Sequence, residues 1–264
     1  VTVDATAALA ALAQRAEQAG LNASAPPQEA WVDGWLIRLS PGKAKRSRCI
    51  NALQAGSLPL DELLARCQAS FDAAGLPLVL RITPYSQPAD LDQQLAGRGW
   101  FEFDAADVMV RAHLVDAAWQ GLPEGQVLRA VDADTYARAV GLLRGSSATE
   151  IAAHAERMQA SAVPYQGFLL QRSNDSALLC CGQFAREGDM VGLFDIFTPA
   201  DQRGQGHGEQ LCRALLRQAA AQGACAAYLQ VGTENAVAQR LYSRLGFIQA
   251  YRYHYRSHDP RAAA

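Results

Sequence analysis

Apolar residues recur at helical spacing at Leu9, Leu12, Ala16 and Ala19, with Gly20 behind them as a natural stop, so the chain is predicted to open with one amphipathic helix. From Trp31 the pattern changes. Trp31 to Leu39 and Arg48 to Leu53 read as two strands joined by the turn-like Ser40-Pro41-Gly42 and a basic loop. Ser57 offers an N-cap for a helix carrying Leu60, Leu63, Leu64, Cys67 and Phe71 up to Gly75. Leu78 to Thr83 reads as a buried strand, Pro88 to Gly97 as a short helix and Trp100 to Arg111 as a further strand. Periodicity is lost from His113 to Gly125, where Gly121, Pro123 and Gly125 mark a linker.

The second half follows a related order. Val127 to Ala130 is a strand, Ala133 to Gln159 is helical with a break near Gly145, and Phe168 to Arg172, Ala177 to Arg186 and Met190 to Thr198 form an antiparallel meander. A helix over Glu209 to Gln222, a strand over Ala226 to Val231, a helix over Asn235 to Leu245 and a strand over Phe247 to Tyr255 complete it. Arg98-Gly99-Trp100 and Leu245-Gly246-Phe247 occupy the same helix-to-strand junction 147 residues apart (99 to 246), and helices at Glu62 and Glu209 keep that offset. An internal duplication accounts for this, with a chance alignment of two α/β segments as its alternative.

Composition narrows the class. The 264 residues are 50% hydrophobic and 19% charged, the balance of a soluble globular protein. Twenty-four Lys and Arg against 26 Asp and Glu leave a net charge of -2, so no global field draws nucleic acid or anionic lipid, and any phosphate binding has to be local. Cys49, Cys67, Cys180, Cys181, Cys212 and Cys225 form no CxxC pair and have no His at metal spacing, which points to buried free thiols and no metal site. Val1 to Gly20 lacks the basic start and apolar centre of a signal peptide, and no apolar run is long enough to span a bilayer, so the expected setting is the cytoplasm.

The chemically informative stretch runs from Leu193 to Leu211: an apolar strand, a turn, Gly204, Gly206 and Gly208 at alternate positions, then a helix. Successive N–H groups at such a helix start converge on one point, and the positive end of the helix dipole reinforces them. This is an anion cradle, with Arg203 as a charge at its mouth. The third glycine comes one position too early for a dinucleotide GxGxxG, and the Lys-Ser/Thr of a P-loop is absent.

Arg203-Gly204-Gln205-Gly206-His207-Gly208 instead resembles the Arg/Gln-x-x-Gly-x-Gly/Ala signature of the GNAT acetyltransferase superfamily, and Asn235 to Phe247 is similar to its Asn-x-x-Ala-x-x-Leu-Tyr-x-x-x-Gly-Phe motif. The resemblance covers residues 126–256. It implies an α/β (α+β) fold of two GNAT-like domains with mixed, mainly antiparallel sheets flanked by helices: a degenerate domain over 1–120 and a catalytic domain over 126–258. It also implies acetyl-CoA as cosubstrate, its pyrophosphate on the amides of Gln205, Gly206, His207, Gly208 and Glu209, its pantetheine along Ile196, Phe197 and Thr198, and a contact from Asn235.

Acyl transfer to an amine poses two proton problems. An alkyl amine of pKa about 10.4 is almost wholly protonated at pH 7, a deficit of roughly 4.6 kcal/mol. The departing thiol must also regain a proton. The resemblance assigns that second task to Tyr242, whose alternative is simple core packing. Asp195, the one carboxylate inside the apolar strand 192–198, is the candidate base, with a hydrogen-bonded structural carboxylate as the other reading. Glu234 is a weaker candidate, Asn235 can also serve as an N-cap, and His207 contributes through its backbone.

In the first half the position matching Tyr242 is Leu95, and Gly56 to Asp61 has lost the glycine cradle. What remains there is Lys43-Ala44-Lys45-Arg46-Ser47-Arg48, either a solvated loop tip or a basic lip for an acidic acceptor or for the 3'-phosphate of CoA. Trp31 and Trp35 near it read as core residues or as a stacking surface. The expectation is an acetyl-CoA-dependent N-acetyltransferase acting on a small-molecule or peptide amine. The alternatives are an acyl-CoA sensor without turnover and an interaction module.

Overall fold

The computed structural model describes residues 2–114 and 121–263, so part of the predicted linker, 115–120, lies outside the described residues. The described chain divides into two compact units: Val1–Ala23, Val108–Val231 and Asn235–Ala250 form the first, and Ser24–Asp107, Gly232–Glu234 and Tyr251–Ala264 form the second. These are not the two consecutive stretches that the sequence suggests. The opening helix α1 (Thr2–Ala23) belongs with the later half because Ala13, Ala16 and Ala19 bury one of its faces there, while Arg15 pairs with Asp189 at 2.5 Å and Asn22 donates to Glu187 at 2.8 Å. Gly20 lies inside this helix rather than ending it, since a Cβ there would come within 3.1 Å of Gln230 Nε2 and 3.5 Å of the Tyr228 ring.

The second unit contains β1 (Gln28–Val32), β2 (Trp35–Leu39), β3 (Ile50–Ala52), α2 (Leu60–Ala73), β4 (Leu80–Ile82), α3 (Leu91–Gly97) and the start of β5 (Phe101–Ala112). The predicted single strand from Trp31 is thus two, folded on Asp33 and Gly34, whose φ values of 46° and 86° make the tight hairpin turn that Asp-Gly favours. Ser57 does not cap α2. Its hydroxyl donates to Asp33 Oδ1 at 3.0 Å, and Pro59 takes the cap position. Trp35, Ile37, Ile50, Phe71, Leu80, Leu91 and Leu95 form the core, so Trp35 packs as an interior residue, whereas Trp31 is 59% exposed.

The first unit continues through β6 (Gln126–Val131), α4 (Ala133–Leu143), α5 (Ala148–Ala160), β7 (Tyr165–Arg172), β8 (Leu178–Glu187), β9 (Met190–Phe197), α6 (His207–Ala221), β10 (Ala226–Gly232) and α7 (Ala236–Arg244). The predicted break at Gly145 separates α4 from α5, and a reciprocal capping box between Ser147 and Glu150 starts α5. Strands β7 to β9 pair as the expected antiparallel meander, β6 extends it by pairing antiparallel to β7, and β10 pairs parallel to β9. The last strand, β11 (Ile248–Ser257), contributes residues 254–256 to an antiparallel pairing with β4 in the second unit.

The two halves of the sequence share the order strand, helix, parallel strand, helix, strand. β3 is parallel to β4 across α2 as β9 is parallel to β10 across α6. Helices α2 and α6 begin 147 residues apart (60 to 207), and so do β5 and β11 (101 to 248). Five of the six cysteines are buried and free, and Cys225 is exposed. Among the described residues no helix is long and apolar enough to cross a membrane.

Candidate active site

The site is built where β9 hands over to α6. The parallel register of β9 with β10 ends at Leu193 and Leu229, although β9 runs on to Phe197 and β10 to Gly232. At the same place β9 bulges. Cys181 faces Phe197 and Gln183 faces Phe194, so Asp195 and Ile196 stand against Gly182 alone, and Asp195 adopts a φ of 52°. Gly182 makes room for this, because a Cβ there would meet Ile196 Cδ1 at 2.5 Å and Leu211 Cδ2 at 3.0 Å.

After Thr198 and Pro199 a single turn, Ala200–Gln202, leads to Arg203 and the glycines. Gly204 and Gly206 have φ values of 76° and 80°, in the left-handed region that side chains avoid, and no atom lies within 4 Å of where their Cβ would be. Open space beside an exposed backbone is what an approaching phosphate requires. Gly206 caps α6, its carbonyl accepting from the N–H groups of Glu209 at 3.0 Å and Gln210 at 3.1 Å, so the N–H groups of His207 and Gly208 at the start of the first turn are the ones left without a helical acceptor. At Gly208 a side chain would press on Leu241 of α7 at 3.3 Å. Arg203 donates to the Thr198 carbonyl at 3.3 Å and holds its guanidinium 6.0 Å from the Phe197 ring. Glu209 does not offer its amide to the cradle as the sequence suggests, because that N–H donates to the Gly206 carbonyl at 3.0 Å, and its carboxylate turns to Arg213 and Arg244, each at 3.1 Å. The residues present therefore suit a diphosphate group.

His207 is 8% exposed, neither ring nitrogen has a hydrogen-bond partner, and burial lowers its pKa. An imidazole so enclosed contributes backbone, not acid-base chemistry. Asn235 is the N-cap of α7, its Oδ1 accepting from Ala238 N at 3.1 Å. Tyr242 is buried in the same core as Cys180 and Cys212, packed edge-on to Phe247 at 6.1 Å. Burial pushes its phenol well above its ordinary value, with the neighbouring thiols acting in the same direction, and its hydroxyl bonds to none of the described residues. It is therefore a protonated donor at neutral pH.

Asp195 does not have the character of a base. Arg144 Nη2 is 2.8 Å from Oδ1, Gln183 Nε2 donates to Oδ2 at 2.7 Å, and the Tyr136 hydroxyl donates to the Asp195 carbonyl at 3.0 Å. Burial favours its neutral form, but the positive charge of Arg144 outweighs this, aided by Arg157, and holds the carboxyl far below the usual carboxylate range. The geometry is that of a hydrogen-bonded counter-ion. His154 stands 3.2 Å from the same Gln183 amide, and burial lowers its pKa to about 4, so it is neutral and can accept the second amide hydrogen. Tyr136 and Arg144 come from α4 and its C-cap, His154 from α5 and Gln183 from β8, and no spacing signal marks any of them in the sequence.

A strand bulged beside a parallel partner, leading through left-handed glycines to a helix start with a buried phenol nearby, defines an α/β site able to hold an anionic group next to a proton donor. Residues 146–247 match the model of the acetyltransferase (GNAT) family. The chain is 26% identical over 234 residues to an uncharacterized N-acetyltransferase, YobR, of Bacillus subtilis (strain 168), a match that covers 85% of this chain and 90% of that protein. Its fold is similar to a GCN5-related N-acetyltransferase from Kribbella flavida, with a TM-score of 0.66 at 16% identity over 94% of this chain and 95% of that one. It is also similar to a tandem GNAT protein from the clavulanic acid biosynthesis pathway, with a TM-score of 0.61 at 15% identity over 74% and 68%. Residues 146–247 are thus similar in sequence to the GNAT acetyltransferase family, and the fold is shared with solved members of it.

Proposed function

We propose that the protein moves an acetyl group from acetyl-CoA to the nitrogen of a small-molecule or peptide amine by direct attack, with residues 126–258 as the catalytic domain and the first half as a degenerate copy. The observation that carries this reading is the turn at Gly204 and Gly206, which aims the first amides of α6 into open space at the point where the β9–β10 register stops. Acetyl-CoA supplies the activated acyl carbon and a thiol leaving group. The amides of Gln205 to Gly208 hold its diphosphate with Arg203 alongside, the end of β9 at Ile196, Phe197 and Thr198 aligns the pantetheine arm, and Asn235 closes the far side.

As the amine nitrogen bonds to the acyl carbon, the carbon–sulfur bond breaks and the electron pair leaves on sulfur. Tyr242 is the group that returns a proton to it. The amine proton passes to water, because Asp195 is committed to Arg144 and Gln183. Leu95, at the position matching Tyr242, is a fully buried core residue, which supports a non-catalytic role for the first half. Buried free thiols suit a reducing compartment and support a cytoplasmic setting.

Exchange of Tyr242 for Phe tests the reading. Turnover is expected to fall by about 10²-fold or more while acetyl-CoA affinity measured by calorimetry stays within about twofold. Equal turnover removes the acid role. Binding of acetyl-CoA without acetylation of any amine in a mass-spectrometric library screen identifies a sensor instead.

A further inference from the structure

Gln205 and His207 stand on either side of Gly206 in the glycine turn, and acetyl transfer as described uses their amides but not their side chains. Both residues line a cavity of about 410 Å³ that lies wholly within the first unit. Its floor is the end of the β6–β7 pairing, where Gln126 stands opposite Arg172 and the Ser173 N–H donates to the Gly125 carbonyl at 2.9 Å. Leu179 of β8 adds an apolar wall. The cavity and the anion cradle therefore share one turn of backbone.

Two polar groups of this lining lack partners among the described residues. The His207 imidazole is 8% exposed and bonds through neither nitrogen, and the buried Gln126 Oε1 receives no donor. Buried polar groups are hydrogen-bonded with few exceptions, so two such groups around one cavity point to a molecule that completes them. Burial, with the charge of Arg172 acting in the same direction, keeps the imidazole neutral, with one N–H to donate and one lone pair to accept. Gln126 Oε1 only accepts. An occupant has to bring an acceptor for the imidazole N–H and donors for its lone pair and for Gln126.

Charge disfavours a phosphate here. Arg172 is taken by Asp175 at 2.9 Å, and Glu124, also in the lining, has no cationic partner among the described residues. A phosphate would face that carboxylate with the wrong sign. A neutral heterocycle carrying an amino group and ring nitrogens meets the demand, and the volume suits one.

We infer that this cavity receives an adenine base, and that the base is the one at the nucleotide end of the cosubstrate. The exocyclic amine of adenine donates and its ring nitrogens accept. With the diphosphate on the turn, one arm of the cosubstrate follows β9 and the other, which bears the base, is left for the cavity. The place in the cosubstrate rests on the acetyl-transfer reading, whereas the base site does not.

Calorimetry on the full chain with adenosine diphosphate, inosine diphosphate, CoA and inorganic pyrophosphate tests it, together with the imidazole resonances of His207 in histidine-labelled protein. The two nucleotides share ribose and diphosphate, and inosine carries a carbonyl where adenine has its amino group. Adenosine diphosphate is expected to bind at least about fivefold tighter than inosine diphosphate, CoA to bind tighter than either, and adenosine diphosphate and CoA both to shift the His207 resonances. Gln126→Leu is expected to weaken adenosine diphosphate by about threefold to tenfold, the scale of one neutral hydrogen bond, and to leave pyrophosphate unchanged. The comparison of the two nucleotides and the resonances use the unaltered chain and stand whatever the variant does to folding. Failure of adenosine diphosphate to bind, equal binding of the two nucleotides, His207 resonances that stay in place, or an equal effect of Gln126→Leu on pyrophosphate overturns the inference. Adenosine diphosphate binding tighter than CoA overturns the place in the cosubstrate and assigns the site to a free adenine nucleotide. If the base is discriminated and no amine is acetylated, the transfer reading falls and the adenine site stands; if acetylation proceeds while the two nucleotides bind alike, the reverse holds.

Discussion

Arg144 Nη2 lies 2.8 Å from Asp195 Oδ1, and this pairing fixes what the one carboxylate of β9 does. A carboxylate held ionised by a guanidinium is a weak proton acceptor. Asp195→Asn is therefore expected to lower kcat by less than about tenfold, against the 10²–10⁴ that loss of a general base costs. Arg144→Met leaves the carboxylate uncompensated. Since Arg144 is 35% exposed, the expected loss is about 1–2 kcal/mol in urea unfolding, below the 3–5 of a fully buried pair.

His154 gives the unit an acid-sensitive term. Its folded pKa of about 4 lies below the ordinary 6.5, so between those values the unfolded chain binds the extra proton and stability falls as pH falls. The stability is whole above pH 6.5 and down by about 3 kcal/mol once pH has passed below 4. His154→Gln should flatten the slope of unfolding free energy between pH 6.5 and 4. An unchanged slope would assign the acid sensitivity elsewhere.

Tyr242 predicts the shape of the pH–rate profile. Its phenol is raised above the ordinary 10 by burial, so it stays protonated throughout the neutral and mildly alkaline range. Turnover should climb with pH as the acceptor amine deprotonates and should show no decline below pH 10. A falling limb between pH 8 and 10 in kcat would contradict the acid role.

Two glycines make contrasting predictions. Gly206→Ala meets no atom but must hold a φ of 80°, at about 1–2 kcal/mol. Its larger effect is expected on KM for acetyl-CoA, raised more than about tenfold, a lost charge-assisted contact being worth roughly 1.5 kcal/mol or more.

Gly167→Ala instead collides with Tyr136, whose Cβ and Cγ would be 2.6 Å away. Tyr136 has no room to retreat from its fully buried site, and its hydroxyl supports the bulge at Asp195. A loss of about 1–3 kcal/mol is expected from thermal unfolding, the usual cost of overpacking.

Most elements were legible because their signals are local. The meander followed from alternation, the break near Gly145 from the glycine itself, and the offset of 147 residues now joins Leu60 to His207 and Phe101 to Ile248. The hairpin at Asp33 and Gly34 was a turn signal passed over inside an apolar run. The cluster around Asp195 was invisible for a different reason. Arg144, His154 and Gln183 lie 51, 41 and 12 positions away in sequence, and only the bulge in β9 and the packing of α4 and α5 bring them to one carboxylate. The assignment of α1 and of residues 251–264 was equally out of reach, since pairing partners distant in sequence leave no periodicity.

The way the chain threads its two units bears on how the protein can be cut. A fragment beginning at the linker would leave behind α1 and strand residues 108–112, and would keep a C-terminal strand whose partner, β4, had been discarded. Severing the polypeptide where its periodicity lapses therefore yields two pieces that each carry part of the other's architecture.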